Sequence, residues 1–146
     1  MATQHLTLTS ARGPANALWI WRGALVFLSV AVAGGVVLTQ DVSPGYRTNS
    51  ELATLIRTMG ALKLATIFPL VLAAAWLRMD APPMRRTLYV ALALSSTLGI
   101  ALIFALSHVG FASAVFHLGF LGMLVHMSKD PGFVEKLRPL AKFWSK

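Results

Sequence analysis

The chain has 146 residues, 56% of them hydrophobic and 12% charged, with a formal net charge of +8 and no cysteine. A soluble domain of this length cannot hide so much apolar surface, so a soluble globular fold is excluded. The missing thiols exclude a disulfide framework, a CxxC redox pair and a thiolate metal site.

Residues 1–16 are polar, contain Gly13-Pro14 and show no sustained period, the composition of a tail or contact arm. Leu18–Thr39 is the first of four apolar stretches that approach or exceed the ~20 residues needed to cross ~30 Å of hydrocarbon as a helix. Ala31-Val32-Ala33 resembles a small-residue cleavage site. The long segment before it and the interfacial anchors Trp19 and Trp21 mark a retained span instead. Gly34 and Gly35 are small-residue positions that let another helix approach. In the loop Gln40–Ser50, Ser43-Pro44-Gly45 signals a turn, and Ser50-Glu51 suits the start of the next helix.

The second span, Leu52–Leu77, carries Arg57, Lys63 and Pro69. Intramembrane cations cost roughly 2.5–3.5 kcal/mol each at a helix centre. Two readings fit: a substrate or anion site facing the bundle interior, and a snorkelling pair that only positions the helix. Pro69 removes a backbone hydrogen bond and predicts a kink. Ala81-Pro82-Pro83 ends this region and stiffens the step to the third span, Thr87–Leu106. There Ser95, Ser96 and Thr97 cover several faces and are candidates for hydrogen bonds across helices. A tight turn at Ser107–Gly110 leads to the fourth span, Phe111–Met127, which contains Gly119-x-x-Gly122 for close packing.

The histidines and methionines are the candidates for a cofactor. His117 and His126 stand nine residues apart and point in nearly opposite directions on a helix, so they cannot clamp one metal or one haem b. Only His117 is deep, and no other span offers it a partner histidine; a haem shared across a subunit interface keeps it in play. Met123, Met127 and His126, with Met79 and Met84, belong to one end of the bundle, and thioethers with an imidazole suit Cu(I). Methionine is equally the ordinary filler of irregular apolar gaps. No Ser/His/Asp set, intramembrane carboxylate pair or phosphate loop is present in the sequence, and no enzyme activity is expected.

After Asp130-Pro131-Gly132, Phe133, Leu137, Leu140 and Trp144 recur at helical spacing between Lys136, Arg138, Lys142 and Lys146. This predicts a basic amphipathic helix over 129–146, lying on the membrane surface or docking a partner, and broken or bent at Pro139. The remaining residues, 1–128, form a single transmembrane domain. Arg12, Arg22, Arg78, Arg85, Arg86 and the tail cations share one side of a four-span topology. The positive-inside rule places both termini in the cytoplasm of, most simply, a bacterial inner membrane. The cations flank apolar spans rather than lining a groove, so the partners are the lipid bilayer and other membrane subunits or a second copy, not nucleic acid.

Gly60-Ala-Leu-Lys63, Leu72-Ala73-Ala74-Ala75 and Arg78, with Ser107-His108 and Phe116-His117-Leu118-Gly119, resemble the bacterial CopD-type copper-resistance membrane domain. The chain is much shorter than that domain and lacks its tryptophan near the helix histidine. The resemblance implies copper handling or redox work, with His108 and His117 as the cofactor-binding residues.

The fold expected is all-α, a four-helix transmembrane bundle with an interfacial C-terminal helix. The function expected is that of a non-catalytic accessory or assembly subunit of a larger membrane complex. The alternatives are a copper- or haem-linked protein using His108 and His117, and a small homo-oligomeric transporter using Arg57 and Lys63.

Overall fold

A computed structural model of the protein describes residues 14–144, with side chains over residues 17–139. Helix α1 runs Pro14–Thr39, the short α2 Pro44–Arg47, α3 Ser50–Leu77, α4 Pro83–Phe104, α5 Val109–Ser128 and α6 Pro131–Trp144. There is no strand among the described residues. Helices α1, α3, α4 and α5 are each long and apolar enough to cross a membrane. The protein is a polytopic, all-helical membrane protein.

The helix ends follow local chemistry. Proline stands at the first position of α4, where its missing N–H costs nothing, and Pro82 precedes it in the cap position, its carbonyl accepting from the Arg86 N–H at 3.0 Å. The cap of α3 is Asn49, whose side chain accepts a hydrogen bond from the Leu52 N–H at 3.0 Å, with Glu51 in the first turn. The expected Ser50 start is thus the first helical residue, one past the cap. Helix α3 continues through Pro69, and α6 is one helix through Pro139 rather than two short turns. Of the tail predicted over 1–16, residues 14–16 instead open α1, while residues 1–13 and the side chains of Leu140 and Trp144 lie outside the described residues.

The α4–α5 turn is as short as the sequence implied, but it falls at Ala105–His108, two residues earlier than Ser107–Gly110. Leu106 (φ 58°) and His108 (φ 46°) are both left-handed without being glycine. Leu106 N–H donates to Ile103 and Ser107 N–H to Leu102, a Schellman closure of α4 with leucine where glycine is usual. The loop before α3 braces the turn: Ser43 N–H donates to the Leu106 carbonyl, and His108 N–H donates to Ser43 Oγ at 3.0 Å.

Helix α4 is central, packing on α1, α3 and α5. Its contact with α5 is close because the glycines leave room. A Cβ at Gly99 would stand 2.5 Å from the Phe116 nitrogen, and one at Gly119 2.7 Å from the Ser96 nitrogen. One at Gly122 would meet Leu92 at 2.8 Å. Gly119 and Gly122 therefore serve packing inside this chain. Gly34 and Gly35 do not: a Cβ at either meets nothing within 4 Å. Ser96 and Thr97 are buried, but they donate back to the carbonyls of Leu92 and Ala93 at 2.9 Å rather than across helices. That satisfies each hydroxyl in an apolar medium without a partner helix.

Helix α6 folds onto the end of the bundle from which α1 begins. Phe133 is buried and Leu137 packs beside it, in a cluster with Tyr89, Met79 and Met123.

Candidate functional site

The principal polar assembly lies where the α3–α4 loop, the start of α4 and the α5–α6 junction meet. At its centre is Asp130, with a side chain only 1% exposed. It accepts hydrogen bonds from Arg78 Nε at 2.8 Å, Tyr89 Oη at 3.1 Å and the Gly132 N–H at 3.1 Å. Longer bonds of 3.4 Å come from Arg78 Nη2 and Arg85 Nη1. Arg78, itself buried, lies 3.5 Å from Asp80. Lys136 of α6 completes the assembly by donating to Asp80 and, at 2.7 Å, to the Leu77 carbonyl. Gly132 leaves room for the guanidinium: a Cβ there would stand 2.8 Å from Arg78 Nη2, which would have to shift.

A buried carboxylate is costly unless charge and hydrogen bonds compensate it. Burial pushes the Asp130 carboxyl up, but the hydrogen bonds from Arg78 and Tyr89 and the Arg78 charge outweigh it and hold the pKa below the ordinary value. Burial also opposes ionisation of Asp80, and Lys136 and Arg78 reverse the balance in the same direction. Both groups stay ionised and engaged at neutral pH. The arrangement suits a latch between α6 and the bundle rather than proton exchange.

The residues singled out in the sequence are dispersed. His108 caps α5 at the opposite end, exposed, with Nδ1 3.0 Å from Ser107 Oγ. His117 is exposed on α5, with Nδ1 2.6 Å from the Ser113 carbonyl oxygen. The two are nine residues apart on one helix, about 13 Å along its axis, and do not converge. His126 packs its ring on Tyr89 at 4.6 Å, and its Nε2 is buried without a hydrogen-bond partner. Met123 is core, Met127 packs at the edge of the same cluster, and Met84 points away, 88% exposed. Among the described residues no three His, Asp or Glu side chains gather as a metal site.

Arg57 and Lys63 also part company. Arg57 is exposed and lines a polar cavity with Asp41, Tyr46 and Arg47. Lys63 is half-buried, its Nζ 4.5 Å over the Phe116 ring, so it faces α5 and is stabilised by that ring.

Asp130 was missed because it reads as the helix-stopping residue of Asp-Pro-Gly outside the last span. The signal was the scarcity of acid: of five carboxylates against thirteen lysines and arginines, Asp80, Asp130 and Glu135 are the ones set among the basic runs. Arg22, similarly, reads only as an orientation signal, yet its guanidinium lies 5.5 Å from the Trp19 ring and 5.3 Å from Trp76.

No family model matches this chain, and no characterised protein or solved structure matches it either.

Proposed function

We propose that this protein is a non-catalytic accessory or assembly subunit of a larger complex in a bacterial inner membrane, with both termini cytoplasmic. The observation that carries this reading is the glycine pair of α1. A glycine within a helix costs roughly 0.5–1 kcal/mol relative to alanine. At Gly60, Gly99, Gly119 and Gly122 a neighbour of the same chain stands at 3.0 Å or closer to a Cβ position, so the small residue allows close approach. Gly34 and Gly35 carry the same cost with open space around them, as does Gly23 earlier on the helix. A helix of another subunit crossing α1 there would recover it. Around the pair α1 presents large exposed side chains to the membrane, among them Phe27, Val30 and Leu38.

The test is a mild-detergent pull-down of the tagged protein from its native membranes, wild type against Gly34→Leu/Gly35→Leu. Stoichiometric recovery of larger membrane subunits with the wild type, lost in the variant while the variant stays folded, is the expected result. Recovery of the chain alone, or equal recovery with both, defeats the proposal.

A further inference from the structure

Between α1 and α4, at the end of the bundle that holds the latch, two cavities share Trp21, Met79 and Arg86. The deeper one, about 250 Å³, runs along the membrane-facing cleft past Ala24, Leu25 and Leu28 of α1 and Val90 of α4. Trp21 to Leu28 spans about 10 Å of helix. The other, about 410 Å³, opens toward Asp80 and Ala81 at the loop, the polar end of the bundle. The joined cleft is therefore amphipathic along its length, apolar within the membrane and polar at its mouth.

Arg86 is the cation at the junction. Its guanidinium lies 5.2 Å from the Trp21 ring centroid, which holds it across the cleft. Among the described residues it has no carboxylate within ion-pair distance, whereas Arg78, Arg85 and Lys136 each have one. Asp80 stands at the same mouth, but Lys136 and Arg78 engage its charge.

We infer that this cleft binds one anionic phospholipid, its phosphate against Arg86 and one acyl chain along the α1–α4 arm. A guanidinium donates in a planar fork that matches phosphate oxygens, and stacking on an indole leaves those donors free. At about 250 Å³ the apolar arm is far too small to admit a helix and has room for a stretch of hydrocarbon chain. Selectivity for net negative charge follows from the neighbourhood: Arg22, Arg85 and Lys129 lie at the same end, so a zwitterionic headgroup brings its own cation into a positive field. The bound lipid fills the gap beside α1 that the protein leaves open, and so fixes how α1 sits on α4. This inference is independent of the partner proposed for the glycine pair.

The experiment is native mass spectrometry of the delipidated protein titrated with phosphatidylglycerol or phosphatidylcholine of identical chains. One phosphatidylglycerol binds about tenfold or more tightly than phosphatidylcholine, the scale of one charge-assisted contact. Arg86→Gln removes that preference, while Arg138→Gln, which deletes an exposed cation of α6, preserves it. Leu28→Trp fills the arm, leaves Arg86 in place and also abolishes the first tight binding event, so the inference remains testable if Arg86→Gln fails to fold. Equal affinity for the two lipids overturns the proposal. So does an Arg138→Gln loss as large as that of Arg86→Gln, which marks general surface attraction, or wild-type binding by Leu28→Trp.

Discussion

Replacing Asp130 by asparagine keeps the size of the side chain and removes the charge at the centre of the latch. The buried Arg78 guanidinium then loses its closest counter-ion, the 2.8 Å contact from Nε, and keeps only Asp80 at 3.5 Å. Breaking a buried pair by deleting one partner costs roughly 3–5 kcal/mol. Residual pairing to Asp80, and the Tyr89 hydroxyl, which can still donate to the amide oxygen, place the expected loss near ~3 kcal/mol. Because the pair joins α6 to the bundle, the loss falls on docking of that helix. A change of ~3 kcal/mol raises the undocked population about 100-fold. The chain has no cysteine, so Phe133→Cys gives a single reporter at a position that is 5% exposed when α6 is docked. With a water-soluble maleimide, labelling of the Asp130→Asn form should run about 100-fold faster than that of its parent. Glu135→Gln, a charge deletion on the exposed side of the same helix, should leave the rate unchanged. A rate within threefold of the parent for Asp130→Asn refutes the latch.

The same docking should depend on pH with a defined sign. The Asp130 and Asp80 carboxyls are held below their ordinary value of 3.8, so their stabilisation is present above that pH and is lost as pH falls through the folded pKa. Measured by labelling kinetics corrected for thiol ionisation, docking should be level from neutrality down to about pH 4, weaken below it, and show a smaller acid loss in Asp130→Asn. The two kinds of glycine should separate in a thermal melt in detergent. Gly99→Ala drives a Cβ to within 2.5 Å of the α5 backbone and should cost about 1–3 kcal/mol, whereas Gly34→Ala, in open space, should gain up to about 1 kcal/mol. His108→Gly relieves a left-handed residue in an exposed turn and should raise the melting temperature by about 2–4 °C per kcal/mol of strain released. A fall shows instead that the Ser107–His108 hydrogen bond outweighs the strain.

The spans were legible because the signal for crossing a membrane is a sum over ~20 residues, and no tertiary contact can alter it. The observed α1, α3, α4 and α5 lie within a few residues of the predicted stretches, with the starts displaced toward caps such as Asn49 that carry no apolar weight. What the sequence could not supply was pairing. Arg78, Asp80, Asp130 and Lys136 are separated by as many as 58 residues and acquire meaning only when α6 folds back, a step that local periodicity does not encode. The amphipathic pattern of the tail is compatible with a membrane surface, and the chain itself covers Phe133 and Leu137 of that apolar face.

The same limit applies to the cationic candidates. Rarity within an apolar span draws attention to Lys63, and its 4.5 Å approach to the Phe116 ring, invisible in the sequence, gives the charge an internal partner. The glycines reverse the case. All look alike in sequence, and only the structure separates those met by a neighbour within the chain, such as Gly60, Gly99, Gly119 and Gly122, from those in open space, among them Gly23, Gly34 and Gly35 of α1. Apolar exposure alone cannot identify a partner surface in a membrane, because lipid covers every outward face equally well. A conformational cost with no return inside the chain is a sharper criterion, and α1 meets it at Gly34 and Gly35. If the Gly34→Leu/Gly35→Leu variant keeps the monomer's stability and loses its partners, that criterion holds for this helix.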